Sequence, residues 1–138
     1  MSKRTPKKGS GSAGAPAGRR KFEVKFLENA ETDARKILND GQWLYVSGVI
    51  RRLEEFGNRT ATSDLRLEKM TDDLWELKLK GNTLGRLNVR VFFSPLAGGR
   101  EVVVLGVIKK EQDGQTPPHI LTRMQNRRLV YCRRRAQQ

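Results

Sequence analysis

The stretch that most constrains the fold is EVVVLGVIKK, residues 101–110, which is apolar on both of the faces that a strand would present. A half-buried strand alternates apolar and polar residues, whereas a strand covered on both sides is a continuous apolar run. The stretch therefore predicts a central strand of a sheet. It ends in Lys109 and Lys110, so the same strand carries two ammonium groups to the edge of the core.

Two more strands are predicted before the central one, because both segments alternate apolar and polar residues with a period of two. They are DLWELKLK, residues 73–80, and RLNVRVFF, residues 86–93. Each is followed by turn-forming residues, Gly-Asn at 81–82 and Gly-Gly at 98–99. Three consecutive strands joined by short turns predict an antiparallel meander.

The first third of the chain predicts a strand and two helices. KFEVKFLE, residues 21–28, alternates like a strand with one buried face. Residues 29–40 are weakly helical, and from 43 to 56 the apolar residues recur at intervals of three and four, as on one face of a helix. Gly57 and Asn58 favour the left-handed conformation that ends such a helix.

The remaining segments predict a loop and a last helix. Residues 58–72 are polar and predict a loop, with an extended piece around 65–67. Thr116 suits the N-cap of the last helix and Pro117 its first position. The order is thus β-α-α-β-β-β-α, an α+β fold of two layers in which helices cover one face of an antiparallel sheet of about four strands.

The formal net charge of +13 is concentrated at the two ends of the chain. Residues 1–20 and 117–138 each carry six basic groups and no acidic group, which leaves 16 basic and 15 acidic groups between them. Such ends favour an anionic partner such as nucleic acid. Residues 1–19 hold no large apolar residue after Met1, so we predict a disordered basic tail and a folded domain from 20 to 138.

Several classes of protein are excluded or disfavoured by composition. Cys132 is the only cysteine and His119 the only histidine, so an internal disulfide and a zinc site rich in cysteine or histidine are excluded. No apolar run approaches the ~18 residues of a membrane span, and the N-terminus lacks the apolar segment of a secretory signal. We expect a soluble cytoplasmic protein without membrane contact, metal or small-molecule cofactor.

The candidate chemistry is cationic. Glu76, Arg90 and the pair Lys109 and Lys110 come from three successive predicted strands. Strand parity places Glu76 and Arg90 opposite the main apolar sets of their strands, and one of the two lysines must share the face of Arg90. One interpretation is a solvated face with cross-strand ion pairs. The other is a site that grips a phosphate.

Four motifs and a basic helix carrying Tyr131 resemble the HigB-like, phage-associated branch of the RelE/ParE toxin superfamily. The motifs are LWEL at 74–77, RVFF at 90–93, GVIKK at 106–110 and TPPHI at 116–120. The likeness extends over residues 74–131. Over residues 21–56 only the order of a strand and two helices agrees with that family. It implies a RelE-like fold and a toxin of a type II toxin–antitoxin system.

The resemblance further implies a metal-independent endoribonuclease that cleaves mRNA on the translating ribosome. Arg90 would clamp the phosphate, and Lys109 or Lys110 would act as base or stabilise charge. Glu76 would orient Arg90 or serve as the base, and Tyr131 would stack on a base or contact the backbone.

The implied partners are mRNA, ribosomal RNA and a helix-turn-helix antitoxin encoded nearby. Contacts to RNA phosphates give affinity without sequence choice. Basic side chains of the meander and of the last helix are the candidates for these contacts. They are Lys78, Arg86, Arg123, Arg127 and Arg128.

Two alternatives remain open. Gln115, His119 and Val130 depart from the motif pattern, which favours a non-catalytic relative that only binds RNA or an antitoxin. The other alternative is a ParE-like gyrase inhibitor, which would have the fold without the cationic strand set.

Overall fold

A computed structural model describes residues 21–111 and 114–137, and the predicted tail at 1–19 lies outside these residues. The described residues form five strands and three α-helices. In chain order these are β1 Glu23–Phe26, α1 Glu28–Ile37, α2 Asp40–Arg51, β2 Arg66–Thr71, β3 Leu74–Leu79, β4 Asn88–Leu96, β5 Glu101–Lys110 and α3 Pro118–Ala136. Short 3-10 helices at Arg52–Glu55 and Asn82–Leu84 lead into β2 and β4.

The five strands form one sheet in the order β1-β5-β4-β3-β2. Strands β3, β4 and β5 are the predicted antiparallel meander, and β5 is interior, as its two apolar faces require. Strand β1 pairs in parallel with β5, from Glu23 opposite Glu101 to Phe26 opposite Val104. The predicted α+β class is thereby confirmed.

The sheet has one strand more than the four expected, because residues predicted as a loop form the edge strand β2. A register shift lies between Lys69 and Thr71. Leu67 packs with the core of one face and Met70, three residues further on, with that of the other. Because the two apolar residues of β2 contact different faces, the segment lacks the run of alternating apolar residues by which a half-buried strand is recognised in sequence.

Helices α1 and α2 cover one face of the sheet. Ala30 from α1 and Ile50 from α2 are fully buried against sheet residues that include Val91 and Val104. Helix α2 begins with a capping box in which the side chain of Asn39 accepts from the backbone of Gln42 and the Gln42 side chain accepts in return.

Helix α3 covers the opposite face, so the helices do not all lie on one side as expected. Met124 is fully buried against Phe92, Val103 and Leu105. A strand that is apolar on both faces needs a cover on each, which is the physical reason for the second layer of helix. Gly106 lets α3 approach, since a Cβ there would lie 2.4 Å from Met124 Cε. No helix among the described residues is long and apolar enough to cross a membrane.

Candidate functional site

Glu76 on β3 and Arg90 on β4 meet beneath α3, as strand parity predicts. Arg90 Nη1 lies 3.2 Å from Glu76 Oε1, and the two residues are only 3% and 1% exposed. A charge this deeply buried is tolerated only with a partner and further hydrogen bonds. Arg90 is therefore a buried half of an ion pair and not, as expected, part of an open cationic surface.

The segment 114–116, just before α3, closes over this ion pair. Thr116 donates its hydroxyl to Glu76 Oε1 at 2.7 Å, and Arg90 Nη1 donates to the carbonyl of Gly114 at 3.5 Å. Thr116 does not cap α3 as expected, because its hydroxyl is bonded to Glu76 and the helix begins at Pro118. The pair thus holds Gly114 and Thr116 in place before α3.

The two lysines at the end of β5 point to opposite faces. Lys110 faces Asn88 across the ladder, and two residues earlier Ile108 faces Arg90, so Lys110 is the lysine on the face of Arg90. Its Nζ donates to the carbonyl of Gln115 at 2.9 Å. The Lys109 side chain is 46% exposed and lies 4.0 Å from Glu111.

Both lysines line an open cleft at the end of β5, which we call the strand-end cleft. The cleft has a volume of about 610 Å³ and lies between the end of strand β5 and the first turn of helix α3. His119 lies on its helical wall, where sequence reasoning assigned it no chemical role. Its place in the sequence, in the first turn of the predicted helix that follows the lysine pair, could have indicated that His119 lies near the lysines. The lining residues are Ile108, Lys109, Lys110, Glu111, Gly114, Gln115, Pro117, His119 and Ile120.

Tyr131 is not brought to this cleft. Its hydroxyl donates to Glu101 Oε1 at 2.8 Å and accepts from Arg135 Nη1 at 3.2 Å. Glu101 and Lys110 are the first and last residues of β5, which at ~3.3 Å per residue puts them ~30 Å apart. Tyr131 therefore belongs to the opposite end of the sheet from Lys110.

Glu101 is the centre of that second cluster and is 4% exposed. Lys25 Nζ lies 3.2 Å from its Oε2, which Arg135 also contacts. Burial acts to raise the pKa of Glu101, but hydrogen bonds from Arg135, Tyr131 and Lys25 outweigh it and hold the pKa below its usual value. The cluster joins β1, β5 and the last turns of α3.

Two of the predicted RNA contacts on α3 are engaged inside the protein. Arg127 Nη1 donates to Asp33 Oδ2 at 2.7 Å and to the Leu105 carbonyl at 3.0 Å. Arg128 Nη2 lies 3.5 Å from Asp73 Oδ2. These arginines attach α3 to α1 and to the turn before β3.

The other predicted RNA contacts lie apart from one another. Lys78 pairs with Glu68 across β2 and β3 at 2.7 Å. Arg86 is exposed before β4, and Arg123 is exposed on α3. Of the three, only Arg123 lies on the helix that forms a wall of the strand-end cleft.

No protein-family model matches the chain, and no curated protein matches it significantly. Among solved structures, the fold is similar to that of a double-arginine mutant of the E. coli toxin RelE in the free state, with a TM-score of 0.54 and 17% identity over 78% of this chain and 97% of that one. A chain of the intact E. coli RelBE toxin–antitoxin complex also matches, with a TM-score of 0.43 and 21% identity over 66% of this chain and 99% of that one. The likeness to free RelE confirms the predicted RelE-like fold.

Proposed function

We propose that the chain is a toxin of a type II toxin–antitoxin system, of the HigB-like branch, which cleaves mRNA at the translating ribosome. The observation that carries this proposal is that Lys109, Lys110 and His119 all line one open cleft. The RelE-like fold and the order of the motifs from 74 to 120 support it further.

The proposed reaction is attack of a ribose 2′-hydroxyl on the adjacent phosphorus. The bond from phosphorus to the 2′-oxygen forms and the bond to the 5′-oxygen breaks, which leaves a 2′,3′-cyclic phosphate and a 5′-hydroxyl. The 2′-hydroxyl proton goes to a base and the departing 5′-oxygen receives a proton. An imidazole can perform such transfers, and ammonium groups stabilise the negative charge of the phosphorane. We assign the transfers to His119 and the charge stabilisation to Lys110 and Lys109.

Arg90 has a positioning role in this proposal, in place of the expected phosphate clamp. Its guanidinium contacts Glu76 and the Gly114 carbonyl, and Glu76 in turn holds Thr116. The three contacts set where Gln115 lies, and the Gln115 carbonyl accepts from Lys110. The buried ion pair therefore supports one wall of the strand-end cleft. Tyr131 has no part in the reaction, because it lies at the other end of β5.

The test is cleavage of mRNA in a translation extract and growth on tightly controlled expression. The wild-type protein should arrest growth and shorten mRNA. The variant K109A/K110A and the variant H119A should each lower cleavage by at least 100-fold, whereas K36A/K69A, with the same charge change at exposed lysines of α1 and β2, should keep it. If the wild-type protein neither arrests growth nor shortens mRNA, the nuclease proposal fails.

One observation favours a second function, a RelE-like protein that binds RNA without cleaving it. The Arg90 guanidinium is buried against Glu76, so it is not exposed to a phosphate in the way that the cleavage site predicted from the sequence requires. Tight binding of RNA without cleavage in the same extract, at any protein concentration, would assign this function.

A toxin requires an antitoxin, and we propose a helix-turn-helix protein encoded beside this chain. Co-expression of the adjacent reading frame should restore growth, and the two proteins should copurify. Restoration of growth by an unrelated reading frame, or growth arrest that persists, would count against this partner.

A further inference from the structure

Helix α3 carries a stripe of exposed and mostly polar residues along one side. The stripe consists of His119, Arg123, Asn126, Val130 and Arg134, at successive intervals of four, three, four and four residues. These intervals place all five on one face of a helix, and the 15 steps from His119 to Arg134 at ~1.5 Å each span ~22 Å. All five are exposed, including Val130 at 42%.

The arginines of α3 fall into two groups. Arg127, Arg128 and Arg135 bind carboxylates of Asp33, Asp73 and Glu101. Arg123 and Arg134 of the stripe are exposed, and their side chains form neither ion pair nor hydrogen bond with any residue in the described ranges. The stripe therefore presents two guanidinium groups whose donors face solvent.

The stripe connects two depressions of the surface. At its start, His119 lines the strand-end cleft. One helical turn after His119, Arg123 lines one end of a groove of about 470 Å³ between α3 and the beginning of α1. The groove extends along α3 as far as Arg134. The α1 side of the groove contributes Leu27, Asn29 and Glu28, and Glu28 is the carboxylate that a bound anion would meet there. The Arg127 guanidinium in the groove is neutralised by Asp33.

We infer that this stripe is a binding track for single-stranded RNA that flanks the nucleotide held in the strand-end cleft. The inference rests on the proposed function, because the cleft defines where the strand begins. Guanidinium groups bind phosphate oxygens as forks of donors, the Asn126 amide can pair with base edges, and exposed Val130 offers an apolar contact to a sugar or base. At ~3.4 Å per nucleotide of a helical strand, ~22 Å accommodates about six nucleotides. The ligand class is thus an oligonucleotide, and a dinucleotide would occupy the cleft alone.

The test is binding of two 2′-O-methyl RNAs, an octanucleotide and a dinucleotide, which lack the attacking hydroxyl. The variant R123Q/R134Q should bind the octanucleotide at least tenfold more weakly and the dinucleotide as wild type does. The plot of log affinity against log salt should become shallower by about 1.4, which corresponds to two phosphates on a single strand. The control R59Q/R133Q removes the same charge from two exposed arginines that line neither the cleft nor the groove, and should weaken binding less than threefold.

Equal losses in the two double variants would overturn the track, since net charge alone would explain them. A wild-type protein that does not bind the octanucleotide would also overturn it. If a poly-glutamate chain loses affinity for R123Q/R134Q and the octanucleotide does not, the groove serves an acidic protein partner and the inference is wrong. Failure of the nuclease proposal is separate, because it appears as absent cleavage while binding of the octanucleotide still depends on Arg123 and Arg134.

Discussion

Thr116 donates its hydroxyl to Oε1 of Glu76 at 2.7 Å, and the same carboxylate oxygen lies 3.2 Å from Arg90 Nη1. One buried oxygen thus joins two interior strands to the connection that leads into α3. The hydroxyl belongs to a residue 40 positions away from Glu76 along the chain. The connection before α3 therefore depends on a carboxylate that never reaches the surface.

Removal of that carboxylate should be costly. Glu76→Ala removes the carboxylate that compensates the charge of the buried Arg90 guanidinium, and we expect a loss of ~3–5 kcal/mol in the free energy of unfolding. Thr116→Val removes one hydrogen bond to a charged group and should cost ~1.5–3 kcal/mol. Urea denaturation followed by circular dichroism measures both.

The control for this pair is Glu68→Ala. Glu68 pairs with Lys78 at 2.7 Å, but its side chain is 49% exposed. The loss should stay below ~1 kcal/mol, because exposed ion pairs contribute little. A Glu76→Ala variant no less stable than Glu68→Ala would show that the buried pair does not support the fold.

Gly106 should be the glycine at which an added methyl group is least tolerated. A Cβ there would lie 2.4 Å from Met124 Cε and 2.7 Å from Arg127 Nη1, and Arg127 is held by Asp33 and the Leu105 carbonyl. Met124 is fully buried and Arg127 would have to give up its contacts to move, so Gly106→Ala should displace side chains of α3 and cost ~1–3 kcal/mol. The urea midpoint of unfolding measures the change.

Gly48 provides the matched substitution. It lies within α2, and no atom lies within 4 Å of its added Cβ. Gly48→Ala should therefore stabilise the protein by ~0.5–1 kcal/mol through the preference of alanine for helix. If both substitutions change the free energy of unfolding in the same direction, the close packing of α3 on Gly106 does not determine the effect of an added methyl group.

The Glu101 cluster should make stability depend on acid pH. Because the folded pKa of Glu101 lies below its ordinary value of 4.5, the unfolded chain binds more protons in that range. The stabilisation is full above pH 4.5 and is lost as the pH falls through the folded pKa. Glu101→Gln should lower stability at pH 7 and flatten the decline between pH 5 and 3.

Thermal unfolding across that pH range gives the comparison. Glu111→Gln is the reference, since the Glu111 side chain is 85% exposed. It should leave both the stability at pH 7 and the acid decline close to those of the wild-type protein. An acid decline that Glu101→Gln does not alter would mean that other carboxylates govern it.

Lys110 and Lys109 should contribute unequally to RNA cleavage. Lys110 lies on the face of Arg90 and contacts the Gln115 carbonyl, whereas Lys109 points to the other face near Glu111. Loss of one donor to developing charge typically lowers a rate by about 100-fold. Lys110→Gln should therefore lower single-turnover cleavage by about 100-fold and Lys109→Gln by less than tenfold. Equal effects of the two substitutions would contradict this division.

Much of the fold follows from local patterns. The two apolar faces of β5 and the alternation of β3 and β4 predict the meander, and strand parity predicts that Glu76 and Arg90 share a face. These features depend on the period of two within single strands, which a sequence displays directly. Strand β2 does not follow, because its two apolar residues, Leu67 and Met70, are three positions apart and contact opposite faces of the sheet.

The burial of the ion pair depends on contacts between distant residues. Thr116 suits an N-cap as a local pattern, and nothing near it in sequence indicates Glu76 as its partner. Likewise, Tyr131 was expected to stack on an RNA base or contact the RNA backbone, whereas Glu101 binds its hydroxyl at the opposite end of β5 from the lysines. In both cases a long-range hydrogen bond decided the position of the side chain.

The parallel pairing of β1 with β5 has a consequence for how the protein forms during translation. Glu23 is opposite Glu101, so the first strand leaves the ribosome some 78 residues before its ladder partner. Strand pairs between residues so far apart in the sequence require closure of a long loop, so they form late and slow folding. Nascent chains that stop before residue 101 lack the partner of β1, so the sheet can be completed only after β5 has been synthesised.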